Sequence, residues 1–344
     1  MAKKRGQGGL TPIGDNPLLK GLAAALIVPA PEPDNDAIAI IERMQKVAQS
    51  DRKAEDAPAP SAELPDEQIG QLDLWPEPER GSPNTFLRSA LFAAIQSEKR
   101  QVLQGPQTSP TKKPRGVGIT SQAGFAIEYA GVQLDQYDLD VWLQAIHLAR
   151  CQPLESDCYF RGSAFLKAIG RKNGFAQYED LNESLDRLTS GDVVIKQNTR
   201  VFTGHLISGY VRDERTRVYK ITFAEEILKL FGYASWTRLQ WQERRSLRGK
   251  NLALWLHGYY SSHAKPYPVK VQFLHKLCGS RAQQLKHFKD ELKKAFRQLE
   301  AAASIKATFD GDLVSVQRTP SPAQAKHLAQ KSDALPAPKS RTRH

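Results

Sequence analysis

Apolar positions recur at helical spacing along several stretches of this chain, with alternating, β-branched runs between them. Residues 137–151 (YDLDVWLQAIHLARC) put Leu139, Trp142, Leu143, Ile146 and Leu148 on one side of a helix. A short extended CYF and a short helix at 162–170 (GSAFLKAIG) follow. A second helix, FAQYEDLNESLDRLTSG, carries the stripe Tyr178, Leu181, Leu185 and Leu188, and Gly191 stops it. DVVIKQ, RVFTGHLISGYV and RVYKITF are rich in β-branched and aromatic residues, and the turn signals QNT and RDERT separate them. They predict a hairpin or small sheet.

The same order then returns. FAEEILKLFG reads as a short helix and RLQWQERRSLRGKNLALWLHGYYSSH as one long helix. PYPVKV is extended, QFLHKLCG a helix, RAQQLKHFKDELKKAFRQLEAAA a longer helix, and SIKATFDGDLVSVQR a hairpin turning at Asp310-Gly311. Two copies of helix, short strand, helix, helix and hairpin predict an α+β chain of tandem winged-helix domains, at 84–223 and 224–320. Upstream, SPNTFLRSALFAAIQ predicts a helix capped by Asn84 or Thr85, with Phe86, Leu87, Ala90, Leu91, Ala94 and Ile95 at helical spacing. QTSPTKKPRG reads as a basic loop.

Residues 1–83 read as a flexible, acidic, Pro-rich tail with one helical stretch at 34–50, and 321–344 as a basic disordered tail. Met44 offers a start for a shorter product. The longest apolar run, GLAAALIV at 21–28, is far below the ~20 residues of a membrane span. Asp15 and the lack of a small-residue cleavage site argue against a signal peptide. Three cysteines with no CxxC pair predict a reducing compartment, and the expected location is cytoplasmic, with no membrane partner.

Charge separates tail from body. Residues 1–80 hold 9 Lys/Arg and 14 Asp/Glu, a net of −5, while the other 264 hold 40 and 23, a net of +17. A basic body suggests a polyanionic partner such as nucleic acid. On residues 281–301, Leu285, Phe288, Leu292, Phe296 and Leu299 form one stripe, and Lys286, Lys289, Lys293 and Arg297 another, about a third of a turn away. Arg281, Gln283 and Gln284 sit at the N-terminal end, where a recognition helix reaches base edges. The matching helix of the first copy carries Glu179, Asp180, Glu183 and Asp186 against Arg187 alone, which a DNA groove would repel. The first domain is therefore expected to touch phosphates through Lys196, Arg200, Arg212, Arg215 and Arg217, or to serve self-association. Arg244, Arg245, Arg248 and Lys250 form a cluster for phosphates between the domains.

Catalytic signatures are sparse. No GxxxxGK[ST] loop occurs. Tyr259 and Tyr260 in HGYYSSH suggest a tyrosine nuclease, but no His-x-His motif accompanies them, and Leu252, Leu254, Trp255 and Leu256 on the same helix favour core packing. His275, Cys278 and His287 lack a fourth zinc ligand. No enzyme activity and no cofactor are expected.

From about Tyr129 to Arg318, the segments YFRGSAFLKAIGR, HLISGYV, WTRLQWQERRSLRGKNLALWLHGYYSSH and KAFRQLEAA resemble the TrfA-type replication initiators of broad-host-range plasmids. The resemblance implies tandem winged helices that bind repeated origin sequences (iterons) in double-stranded DNA and open a neighbouring A+T-rich region, exposing single strands. It also implies recruitment of the host helicase, its loader and polymerase components, and a monomer in equilibrium with a dimer. The tail stretch Gln71, Leu72, Asp73, Leu74, Trp75 is similar to the pentapeptide Gln-Leu-(Ser/Asp)-Leu-Phe, with which bacterial replication proteins engage the β sliding clamp; Trp75 stands in for phenylalanine. The alternative from another class is a winged-helix transcriptional regulator.

Overall fold

The computed structural model describes residues 75–106, 116–150, 157–197, 199–224, 227, 230, 231 and 236–333. Order begins earlier than the tail reading allows. Strand β1 (Glu79–Pro83) pairs antiparallel with β12 (Trp236–Gln240). Next, α1 (Asn84–Leu87) is a single turn, β2 (Phe92–Ala93) pairs with β6 (Leu134–Asp135), and β3 (Val102–Leu103) joins a larger sheet. The predicted helix across 84–95 is thus replaced by an irregular strap. Its apolar residues are buried nearly without interruption, Phe86, Leu87, Leu91, Phe92, Ala93 and Ile95 among them, so no polar face remains for a surface helix.

The helix α2 (Gln136–Ala149) begins where expected, because Asp135 and Asp138 form a reciprocal capping box. Asp138 also accepts from Ser184 Oγ at 2.7 Å and pairs with Arg187 at 2.9 Å, tying α2 to α4 (Phe175–Ser190). Between them run β7 (Cys158–Arg161) and α3 (Gly162–Ala168). The three β-rich runs do not form one hairpin. β8 (Asp192–Gln197) and β9 (Arg200–Gly204) extend a sheet of order β3-β5-β8-β9, built on β5 (Phe125–Val132), which β4 (Val117–Ile119) also joins. β10 (Gly209–Arg212) and β11 (Val218–Thr222) instead make a sheet of order β10-β11-β7.

The second half repeats this arrangement without the insertion. α6 (Asn251–Ser261), β13 (Val269–Lys270), α7 (Val271–Leu277), α8 (Leu285–Ala303), β14 (Lys306–Asp310) and β15 (Leu313–Gln317) follow in order. The sheet order is β13-β15-β14, so in both halves the lone strand before the short helix pairs with the last strand of the hairpin. The likeness reaches the turn between helices. α3 and α7 each have seven residues, and each is followed, two residues on, by a glycine in the left-handed region: Gly170 at φ 74° and Gly279 at φ 66°.

Two departures concern helix ends. The expected long helix from Arg238 is broken: after β12 come α5 (Trp241–Ser246), a turn, and then α6. Past Pro320, residues expected to be disordered form α9 (Pro322–Asp333), with proline at its first position; Gln324 accepts from Arg318 and donates to Ser261 O.

Two hydrophobic cores result, one drawn from residues 75–241 and the other from 247–316. The change of core falls after Trp241, beyond the boundary expected at 223. Trp75 is 1% exposed, packed on Phe231 at 5.4 Å and Trp236 at 5.6 Å, and its indole donates to His147 Nδ1 at 3.0 Å. It is a core residue and not the exposed clamp anchor expected; Gln71, Leu72, Asp73 and Leu74 lie outside the described residues. Since an indole only donates, His147 carries its proton on Nε2 and donates it to Glu77 Oε2 at 2.9 Å.

Arg244 likewise lies inside the fold and not on the surface expected for it. It is 1% exposed, so no DNA phosphate reaches it. Its guanidinium pairs with Asp140 and Gln136 of α2 and donates to Leu254 O of α6 at 3.1 Å. Removing one partner from a buried charge set costs about 3–5 kcal/mol, and truncating a buried tryptophan costs about the same. Arg244→Ala and Trp75→Ala should therefore each lower the unfolding free energy from urea titration by an amount of that order, while Arg245→Ala, at an exposed site, should leave it unchanged.

Buried histidines give the fold a pH dependence. Burial, with Arg80 and Arg150 nearby, pushes His147 down from 6.5 to about 4. Burial beside Arg88 takes His263 to about 4, and burial also lowers His257. Asp135 moves oppositely, pushed up to about 6 by burial and by Asp138. Between about pH 4 and 6.5, the unfolded chain protonates His147 and His263, which the folded chain keeps neutral, and His257 and Glu77 are shifted downward as well. Asp135 and Asp140, both raised by burial, act the other way but are outnumbered, so the unfolded state binds more protons and stability rises with pH across this window. Urea midpoints measured at about pH 4.5 and 6.5 should increase; equal midpoints would contradict the assignment.

Candidate nucleic-acid interface

α8 is the longest helix among the described residues, and its sequence sorts it into faces. Phe288, Leu292, Ala295, Phe296 and Leu299 are buried in the second core. Lys286, Lys293 and Arg297 are exposed on the adjacent face. Lys289 lies in the same row but is held by the hairpin: its ammonium pairs with Asp312 at 2.8 Å and donates to Gly311 O. Lys293 lies 5.9 Å from the centre of the Phe309 ring, so the β14–β15 hairpin flanks the cationic row. Gln283 and Gln284 are exposed where the helix begins. The row is open to a phosphate backbone, with side-chain amides at its leading end.

Arg281 does not join them. Its guanidinium donates to the side-chain carbonyl of Gln133, a buried residue of the first half, so it braces the two halves instead of pointing free for a base. Arg245 and Arg248 are exposed beside the α3–α4 turn, where their guanidinium nitrogens come within 3.3–3.8 Å of the position a Cβ would take on Gly170. With Gln242 and Ser246 they line a shallow recess of about 300 Å³. Lys250 faces elsewhere, into a cleft next to Arg281. The four-residue cluster expected from the sequence is thus divided among a buried core, a recess and a cleft.

The corresponding helix of the first half is acidic where α8 is basic. Glu179, Asp180, Glu183 and Asp186 are exposed, and Arg187 turns inward onto Asp138. The cations expected to act as one hairpin are dispersed. Lys196 and Arg200 lie on β8 and β9, and Lys196 pairs with Glu128 at 2.7 Å. Arg212 pairs with Glu214, and Arg217 sits 4.1 Å from the Tyr178 ring.

Of the residues that suggested other chemistry, the tyrosines and the cysteine are packed away. Tyr259 and Tyr260 are buried, Tyr259 stacking on Trp255 at 5.0 Å, and burial pushes its hydroxyl up to about 12. Cys278 is buried with its thiol raised to about 12, His275 is bound to Ala282 O at 2.8 Å, and His287 is exposed. Among the described residues no group of three His, Cys, Asp or Glu side chains is gathered as a metal site, and no helix is long and apolar enough to cross a membrane.

Cations that pattern reading missed include Lys99 and Lys294, which neither lie on the stripe nor belong to the Arg244–Lys250 cluster. A signal for them was present. Residues 244–289 contain ten Lys/Arg and no Asp or Glu, and this acid-free run supplies the facing wall of the cleft they occupy.

Comparison with known proteins places the fold in a family. The chain is 26% identical over 264 residues to the plasmid replication initiator protein TrfA of Escherichia coli, a match taking in 73% of this chain and 65% of that one; the chain thus spans less than two thirds of that relative's length. Solved structures with looser likeness include domains 2 and 3 of RctB, at TM-score 0.46 and 12% identity over 69% of this chain and 99% of that one. Another is the Pi initiator protein in complex with iteron DNA, at TM-score 0.40 and 10% identity, covering 53% and 92%. The TrfA protein family model matches residues 53–318, and the chain, matched over most of its length, belongs to that family.

Proposed function

We propose that this chain is a plasmid replication initiator that grips repeated duplex sequences at an origin through the outer face of α8. The observation that carries the reading is the cationic row Lys286, Lys293 and Arg297, exposed on a helix whose opposite stripe is buried, in a chain of the TrfA family. In this reading the two halves are tandem winged helices. Their shared order of helix, strand, short helix, long helix and hairpin supports it, as do the matching sheet orders and the paired left-handed glycines.

The division of labour follows from charge. α8 enters the major groove with Gln283 and Gln284 at base edges, Lys286, Lys293 and Arg297 on phosphates, and the β14–β15 hairpin alongside. Arg245 and Arg248 take a further backbone phosphate in their recess. The acidic α4 stays out of the groove and leaves the first half free for self-association. Opening of adjacent A+T-rich DNA and recruitment of the helicase with its loader are carried over from the family. Clamp engagement rests on Gln71, Leu72, Asp73 and Leu74, with Trp75 serving as the anchor that holds this stretch to the folded body.

Binding of a repeat-containing duplex and of a scrambled duplex, measured across salt concentrations, tests the groove assignment. Gln284→Ala should narrow the preference for the repeat by about 1–3 kcal/mol. Lys293→Ala and Arg297→Ala should weaken both duplexes alike, each reducing the salt slope by about 0.9. Unchanged binding in all three variants would remove α8 from the interface. For the tail, Leu74→Ala should abolish capture of purified sliding clamp without altering the unfolding midpoint; retained capture would refute the tail contact.

A further inference from the structure

A second cationic site lies on a different side of α8 from the groove-facing row. It is a cleft of about 460 Å³ between the strap and the second core. Four cations from four segments line it: Lys99 from the 3-10 turn Ser97–Lys99, Lys250 from the turn after α5, Arg281 from the α7–α8 connection, and Lys294 from α8 itself. Glu291 is the one carboxylate among its lining side chains. Lys294 sits about 100° around the helix from Lys293, so the cleft and the row do not share a surface.

The walls are held by hydrogen bonds that do not consume the lysines. Asn251 donates its side-chain amide to Ile95 O, Ala94 N donates to Cys278 O at 2.8 Å, and Arg281 is oriented by Gln133. None of Lys99, Lys250 and Lys294 is in an ion pair with a described carboxylate. Four cationic residues and one carboxylate around a single concavity give it a positive potential, which favours an anion. Clefts of roughly 300–1,000 Å³ hold small molecules, and this one falls within that range.

We propose that this cleft is a phosphate-binding site, taking phosphate oxygens presented either by the polyphosphate of a free nucleotide or by the phosphodiesters of a nucleic-acid backbone. The site does not depend on the groove assignment of α8, and the two stand or fall separately.

Calorimetric titration of the full-length chain with inorganic pyrophosphate and with a nucleoside triphosphate in the absence of metal tests it. The wild type should bind pyrophosphate, and Lys99→Glu combined with Lys294→Glu should weaken binding at least about tenfold. Lys286→Glu combined with Lys293→Glu should leave it within about twofold. Circular dichroism and urea unfolding confirm that the variants fold, and a Lys99→Gln, Lys294→Gln pair repeats the test with a milder change. Competition separates the sources. Triphosphate that still binds at saturating duplex identifies a free nucleotide as the ligand, whereas pyrophosphate displaced by duplex identifies a backbone phosphate. Absence of pyrophosphate and triphosphate binding to the wild type overturns the proposal. So does binding that survives the Lys99/Lys294 changes but is lost with Lys286/Lys293.

Discussion

The relation between the two halves depends on one buried cation. Desolvating a guanidinium costs several kcal/mol unless its donors are met, and Arg244 meets its obligations only where α2, α5 and α6 converge. Asp140 supplies the countercharge, Gln136 its side-chain carbonyl, and Leu254 a main-chain carbonyl. The geometry admits little sliding, because moving either half by a few ångströms would strand a charge in a dry joint. Close by, His257 stays neutral against Glu243 for the same reason: burial outweighs the attraction of the carboxylate.

Around this joint the segment from Trp75 to Leu103 works as a strap. Arg80 bonds Gln144 of α2 and lies over the Trp241 ring at 4.8 Å; Arg88 bonds Ser262 at the end of α6; Trp255 donates to Ser89 O. Ala90 and Ala93 press against Gly279, where a Cβ would fall 2.9 Å from that of Ala93, so the turn before α8 is shaped partly by residues almost 190 positions earlier. Net charge therefore overstates what is available to a partner. Arg80, Arg187 and Arg244 are spent inside the molecule, while α8, the Gly170 recess and the strap cleft each hold exposed cations.

The two halves share a backbone plan but not a charge plan. α4 and α8 occupy equivalent places, and one presents carboxylates while the other presents lysines. Like folds carrying opposite surfaces suit different tasks: a basic helix approaches a polyanion, and an acidic one is kept from it. The insertion of β8 and β9 into a separate sheet further sets the first half apart, giving it a second sheet that the second half lacks.

Local chemistry determined the helices α2, α3, α4, α7 and α8, the β14–β15 hairpin and the exposed row on α8. In each, apolar spacing, a cap or a turn residue acts within a few positions of the element it specifies. The tertiary structure decided what depends on residues far apart in the chain. Trp75 reads as an exposed anchor in an acidic tail until Phe231 and Trp236 close over it. Arg244, Arg245, Arg248 and Lys250 read as one cluster, yet a short helix followed by a turn rotates them into three environments. The strap's apolar run fits a helix by spacing alone, but burial on every side removed the solvent face such a helix needs. Periodicity reports which side of a segment avoids water; it carries no information about what arrives from a hundred residues away to cover the rest.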